Sequence, residues 1–347
     1  MPYSGSMTSE LTPEVAEAVA NLVAVLNPTQ DRRLAVELLE SAAGMIADGP
    51  ATLDLKISAS ALLEMGEAFE MFAPYRGRKK VAIFGSARTK ADDPLYVQAR
   101  TVAAHLAAND WMVITGAGPG IMQAAMEGAG RELSIGVSIR LPFEQSANPI
   151  IAGDHKYVSM KYFFTRKLML IKESSAFVCL PGGFGTLDET FELLTLTQTG
   201  KGSPVPIVFL DTPGDPYWEE VAEFVNAQLV QRGLVAKADT DLYLITDDCE
   251  AAVHEINSFY VNYHSMRYVG DLLVVRMQHQ VSDEQLARLN ESFSHLCTKG
   301  SIQRVSTLPV EIKENDHVDL HRVGFKFAKH GFGDLRQMID MINDFSR

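Results

Sequence analysis

Ala176-Phe177-Val178-Cys179-Leu180 runs straight into Pro181-Gly182-Gly183-Phe184-Gly185-Thr186-Leu187-Asp188-Glu189. The first five residues are continuously apolar, the pattern of a strand buried on both faces. Three glycines follow within four positions, and a helical pattern then continues to about Thr199. Glycine lets a backbone approach a ligand closely. The free N–H groups and dipole of a new helix favour an anion at that point. Thr186 adds a hydroxyl. Together these are the elements of a phosphate cradle without the lysine of a P-loop. A capping box from Thr186 to Glu189 is the structural alternative, but it does not call for Gly182, Gly183 and Gly185 together.

The same alternation extends upstream. Apolar strands are expected at Val81–Phe84, Trp111–Thr115 and Ser134–Ile139, with helices at Leu95–Asn109, Ile121–Gly130 and Phe163–Lys172. A loop spans Leu141–Ile151, and a further strand is expected at Val205–Leu210. Strand–helix repetition with continuous apolar strands predicts a Rossmann-like, doubly wound α/β fold with a parallel sheet. Ligands of such sheets bind at the carboxyl ends of the strands.

Outside this region the pattern changes. Thr12-Pro13-Glu14 reads as a helix start, and helical spacing recurs to about residue 75. The last ninety or so residues read as strand Asp271–Met277, helix Asp283–Leu296, strands Ile302–Leu308 and Arg322–Ala328, and helix Asp334–Phe345. That order suggests a small α+β domain of ferredoxin-like type. The expected division is therefore an N-terminal helical region (1–77), a nucleotide-binding catalytic domain (78–260) and a C-terminal α+β domain (261–347).

The net charge of −13 argues against non-specific nucleic-acid binding. Cys179, Cys249 and Cys297 are too dispersed for a disulfide framework, a redox pair or a metal knuckle. No apolar run reaches membrane-spanning length, and Met1–Glu10 lacks the features of a signal peptide. A cytoplasmic protein needing neither metal nor cofactor is expected.

Glu189 lies one helical turn beyond the glycines, with Glu192 following on the same face. A carboxylate so placed relative to a bound phosphate suits the sugar of a nucleotide. Cleavage of an N-glycosidic bond passes through a cation-like ribosyl centre, which a carboxylate can stabilise or attack with an activated water. Asp188 reads as solvated surface. Tyr162-Phe163-Phe164-Thr165-Arg166-Lys167 offers an arginine for phosphate, base or developing charge. The same spacing also fits an amphipathic helix with Arg166 and Lys167 facing water. Gly85-Ser86-x-Arg88 and Gly116-Ala117-Gly118-Pro119-Gly120 both end apolar strands where a crevice is expected. The second is not G-x-G-x-x-G, and Arg140 stands where a dinucleotide site would carry an acid, so a dehydrogenase is disfavoured.

These motifs resemble the LOG family, once called lysine decarboxylase-like and better described as nucleoside 5′-monophosphate phosphoribohydrolases. Pro181 to Glu189 completes the family's P-G-G-x-G-T-x-x-E hallmark, and Arg166-Lys167 matches its arginine motif without the Met-His of the plant-type branch. Gly85-Ser86 and Gly116–Gly120 correspond to its other glycine loops. The resemblance covers roughly Lys79 to Asp248. It implies a Rossmann-like fold, hydrolysis to free base and ribose 5-phosphate, and a homodimer or larger homo-oligomer with the site near a subunit interface. It also implies Glu189 and Arg166 as the catalytic pair. Substrate contacts are expected from Gly85, Ser86, Gly116, Gly118, Gly120, Lys167, Gly182, Gly183, Gly185, Thr186 and Glu192. A nucleotide effector is a candidate partner of the flanking domains. The alternatives are a nucleotide-binding regulator without catalysis, and a pyridoxal-dependent decarboxylase, for which no lysine stands out.

Overall fold

Pro13 opens the chain's first helix, where the Thr12 hydroxyl accepts from the Val15 N–H at 3.5 Å. The computed structural model describes residues 11–28, 31–141 and 147–346. The expectation for Met1–Glu10, and residues 142–146 of the expected Leu141–Ile151 loop, lie outside the described residues. The chain divides into two compact units, Met1–Gly66 and Glu67–Arg347. The first holds α1 (Pro13–Leu26), α2 (Arg32–Ala47) and most of α3 (Thr52–Phe72). The Asp31 carboxylate caps α2 through the Arg33 and Leu34 N–H groups. α1 buries Val19 and Val23.

The second unit begins with the expected alternation. In chain order it contains β1 (Lys80–Phe84), α4 (Pro94–Ala108), β2 (Met112–Thr115), α5 (Ile121–Ala129), β3 (Ser134–Ile139) and β4 (Tyr157–Met160). There follow α6 (Phe163–Lys172), β5 (Ala176–Cys179), α7 (Phe184–Gln198), β6 (Ile207–Leu210), α8 (Tyr217–Phe224), β7 (Leu244–Thr246) and α9 (Cys249–Ser258). The seven strands are parallel, in the order β4-β3-β2-β1-β5-β6-β7. This is a Rossmann-like α/β sheet. Val81, Ile83, Val178, Val208 and Leu210 share one buried cluster with residues of α4, α5 and α9. Phe84 and Phe177 meet on the other face, where Phe209 stacks on Trp218 of α8 at 4.3 Å. The order reverses between β1 and β5, so a crevice opens above their carboxyl ends.

The C-terminal part comprises β8 (Tyr263–Val269), β9 (Leu272–Met277), α10 (Asp283–Phe293), β10 (Cys297–Arg304), α11 (Pro309–Glu314), β11 (His321–Phe327) and α12 (Phe332–Asp344). Its sheet is antiparallel, ordered β10-β11-β9-β8. The α+β expectation holds: β9, α10, β10, β11 and α12 follow the expected strand–helix–strand–strand–helix order, with α11 between β10 and β11. One further strand, β8, precedes that series and pairs with β9 in a hairpin turning through Gly270 in the left-handed region. β8 carries His264, Ser265 and Arg267 among its apolar residues and is mostly half-buried, so its hydropathy gave no strand signal. This domain grips the far end of α7. The Phe332 ring at the start of α12 occupies the space a Cβ on Gly200 would fill, while Gln198 donates to Asp239 of the β6–β7 connection at 2.6 Å.

Candidate active site

A cavity of about 980 Å³ sits at the switch point. Its walls come from the turns after β1, β2 and β5 and from the carboxyl end of β3. At that size it can enclose a drug-sized ligand.

The glycine turn forms one wall. α7 starts at Phe184 with Gly183 as N-cap, and no side chain caps it. Thr186 is therefore inside the first turn, and the capping-box alternative fails. Gly183, Gly185 and Thr186 face the cavity with the N–H-rich end of the helix. Gly182 is a glycine for steric reasons: a Cβ there would lie 2.2 Å from Thr186 Oγ1 and 3.1 Å from the Ser86 nitrogen. The Ser86 N–H in turn donates to the Pro181 carbonyl at 3.2 Å, tying the β1 turn to the β5 turn.

Arg166 and Glu189 meet across the α6–α7 seam. Arg166 Nη1 donates to Glu189 Oε1 at 2.9 Å, and the two side chains are 10% and 13% exposed. Arg166 Nε donates to the Val137 carbonyl at 3.0 Å, which anchors the guanidinium to β3. Gly116 leaves room for it, since a Cβ there would stand 2.3 Å from Arg166 Nη2. Burial pushes the Glu189 carboxyl above its ordinary range, and the Arg166 charge only partly opposes this. The pair is thus a carboxylate short of hydrogen bonds beside a fixed cation, both facing open space.

Of the residues expected to contact substrate, Gly85, Ser86, Gly116, Gly118, Gly182, Gly183, Gly185 and Thr186 line the cavity with Arg166 and Glu189. Gly120 does not. It supports the turn, with φ of +66° and the Ser86 carbonyl where a Cβ would project. Lys167 and Glu192 also lie off the cavity lining. Lys167 Nζ sits 2.7 Å from Glu192 Oε2 and 3.1 Å from Asp188 Oδ2, so these three join α6 to α7.

The residues alone did not announce several other lining groups. Ser138 Oγ and Tyr157 OH pair at 2.7 Å. Arg140 reaches the Ser159 carbonyl at 3.0 Å. Tyr217, from the start of α8, donates to the Gly182 carbonyl at 2.7 Å. Cys179 is fully buried below the site, and burial pushes its thiol up to about 12, so it acts as a packed apolar group.

The family described as "Possible lysine decarboxylase" matches residues 120–256. A probable cytokinin riboside 5′-monophosphate phosphoribohydrolase of Arabidopsis thaliana is 32% identical over 116 residues, 33% of this chain and 54% of that protein. A cytokinin riboside 5′-monophosphate phosphoribohydrolase of Oryza sativa subsp. japonica is 26% identical over 176 residues, 50% of this chain and 67% of that protein. The chain spans about half the length of the first curated relatives it matches, or less (54% and 40%). Among solved structures, the molybdenum cofactor carrier protein from Chlamydomonas reinhardtii aligns at 20% identity with a TM-score of 0.35, covering 52% of this chain and 96% of that one.

Proposed function

We propose that the chain, whose residues 120–256 match the family above and which is similar to the phosphoribohydrolases above, hydrolyses nucleoside 5′-monophosphates to free base and ribose 5-phosphate. The observation that carries this reading is the buried Arg166–Glu189 pair beside an uncapped glycine turn in one cavity.

The substrate phosphate lies against the amides around Gly183, Gly185 and Thr186, where the helix dipole favours negative charge. The ribose then extends toward Glu189. The C1′–N bond breaks and its electron pair leaves with the base. A water oxygen bonds to C1′, and its proton departs to the carboxylate or to the base. Glu189, ionised, stabilises positive charge on the sugar and orients the water. Arg166 keeps that carboxylate aimed at the cavity and offers a positive charge to the departing base. Hydrolysis of this kind proceeds on the chain's own side chains.

Decarboxylation through a Schiff base needs a lysine. No lysine lines the cavity among the described residues, and residues 142–146 contain none. We further propose a homodimer or larger homo-oligomer, supported by Phe163 and Phe184, 53% and 94% exposed at the cavity rim.

Chromatography of incubations with purine, pyrimidine and cytokinin ribotides tests the reaction. The expected products are free base and ribose 5-phosphate in equal amounts. Tight nucleotide binding with no base released from any of them would leave a binding protein in place of the enzyme.

A further inference from the structure

We infer that Tyr217 is a positioning residue for the phosphate cradle, acting by holding the Gly182–Gly183 peptide in one orientation. This rests on the reading of the glycine turn as the phosphate site.

The phenol lies 35 positions beyond the turn in sequence and reaches it from a different helix. Its OH donates to the Gly182 carbonyl at 2.7 Å, and its side chain borders the cavity. A peptide unit is planar, with C=O and N–H pointing to opposite sides. A pinned Gly182 carbonyl therefore fixes the direction of the Gly183 N–H, at the N-cap position of α7. Without a side chain at either glycine, that peptide would rotate more freely than any neighbour. A cradle whose donors must reorient on binding loses part of its affinity to ordering.

The support behind Tyr217 is itself rigid. Its own N–H donates to Asp215 Oδ1 at 3.1 Å, and the next N–H, of Trp218, donates to Asp211 Oδ2 at 3.0 Å. Trp218 is fully buried, stacked on Phe209 of β6, and meets the Tyr217 ring edge-on at 5.0 Å. The turn after β6 is thus built to deliver one hydroxyl to one carbonyl. Burial also pushes the phenol above its ordinary range, so it stays a donor at neutral pH.

The test is Tyr217→Phe, which keeps the ring and removes only the hydroxyl. Calorimetric titration with ribose 5-phosphate should show binding weakened about tenfold, the scale of one hydrogen bond to the cradle. KM for a nucleotide should rise by a similar factor while kcat changes little. Binding of the corresponding unphosphorylated nucleoside, and the melting temperature, should be unchanged. Ribose 5-phosphate affinity and nucleotide KM equal to wild type would overturn the inference. So would equal weakening of nucleoside and ribose 5-phosphate, which would mean a general loss of shape. If wild-type protein binds ribose 5-phosphate but releases no base, only the hydrolytic reading fails. If it binds no phosphorylated probe, both fail.

Discussion

Two arginine–glutamate centres among the described residues, Arg166–Glu189 between α6 and α7 and Arg276–Glu311–Arg322 beside the antiparallel sheet, differ in how completely the carboxylate is satisfied. In the antiparallel sheet, Glu311 is fully buried. It accepts from Arg276 Nε at 2.9 Å and Nη2 at 2.6 Å, and from Arg322 Nε and the Leu308 N–H at 3.0 Å each. Those arginines sit opposite each other on β9 and β11, and Glu311 keeps two like charges together. Burial alone would raise its pKa, but the Leu308 amide and the two guanidiniums outweigh it and hold the carboxyl below its ordinary range. Between α6 and α7, Glu189 accepts from Arg166 alone among the side chains of the described residues, and burial raises its pKa. The same residue types make a staple where four hydrogen bonds meet the carboxylate and, on the proposed function, a reactive group where only one does.

Breaking the staple should have the largest effect on stability. Glu311→Gln leaves Arg322 beside a neutral partner and Arg276 with Asp316 as its remaining carboxylate, 2.6 Å away. It should cost about 3–5 kcal/mol, the range for removing one member of a buried pair. Urea denaturation followed by fluorescence reads this as a lower midpoint, while turnover per folded molecule stays at the wild-type value. An unchanged midpoint would mean that the centre contributes nothing net.

Breaking the geometry of the reactive pair should act on turnover instead. Gly116→Ala places a methyl group in the space of Arg166 Nη2. It should lower kcat/KM by about a hundredfold, as expected for a displacement near 1 Å at a reacting centre. The urea midpoint should move little.

The smallest effects concern pH, and there the two centres carry opposite signs. Glu311 has a lowered folded pKa, so its stabilisation is present above the ordinary glutamate value and is lost as pH falls through the lowered one. Glu189 has a raised folded pKa. Its folded form favours the proton, so stability declines as pH rises from the ordinary value of 4.5 through the raised one. If ionised Glu189 carries the reaction, the acid limb of kcat/KM lies above that ordinary value. Arg166 opposes the effect of burial, so Arg166→Gln should move the limb higher still. A limb at or below the ordinary glutamate value would remove Glu189 from the titrating role.

The sequence was most informative where chemistry and local geometry share a short stretch. The strand, the three glycines and Glu189 fall within fourteen residues of one another, so their period and spacing could be read directly. Arg166 was ambiguous by itself, because an amphipathic helix explains its position equally well. Only the fold shows it turned inward onto Val137 and Glu189. Lys167 and Glu192 went the other way: the Arg-Lys motif and helical spacing respectively suggested them for the site, and their side chains found each other across the α6–α7 seam. β4 is four residues long with alternate positions half-exposed, too short for periodicity to register. Tyr217 follows a turn containing Thr212, Pro213, Gly214, Asp215 and Pro216, and nothing local says that its hydroxyl serves a glycine 35 residues earlier. The role of Gly116, as space for a guanidinium, is likewise a property of three elements together.

The account turns on Glu189 as the group that does chemistry, in contrast to Glu311. Glu189→Gln keeps the shape and removes the charge, and base release and nucleotide affinity should be measured on the same preparation. The account predicts turnover lower by about three orders of magnitude, with nucleotide affinity within a few-fold of wild type. Turnover that survives the substitution would contradict it.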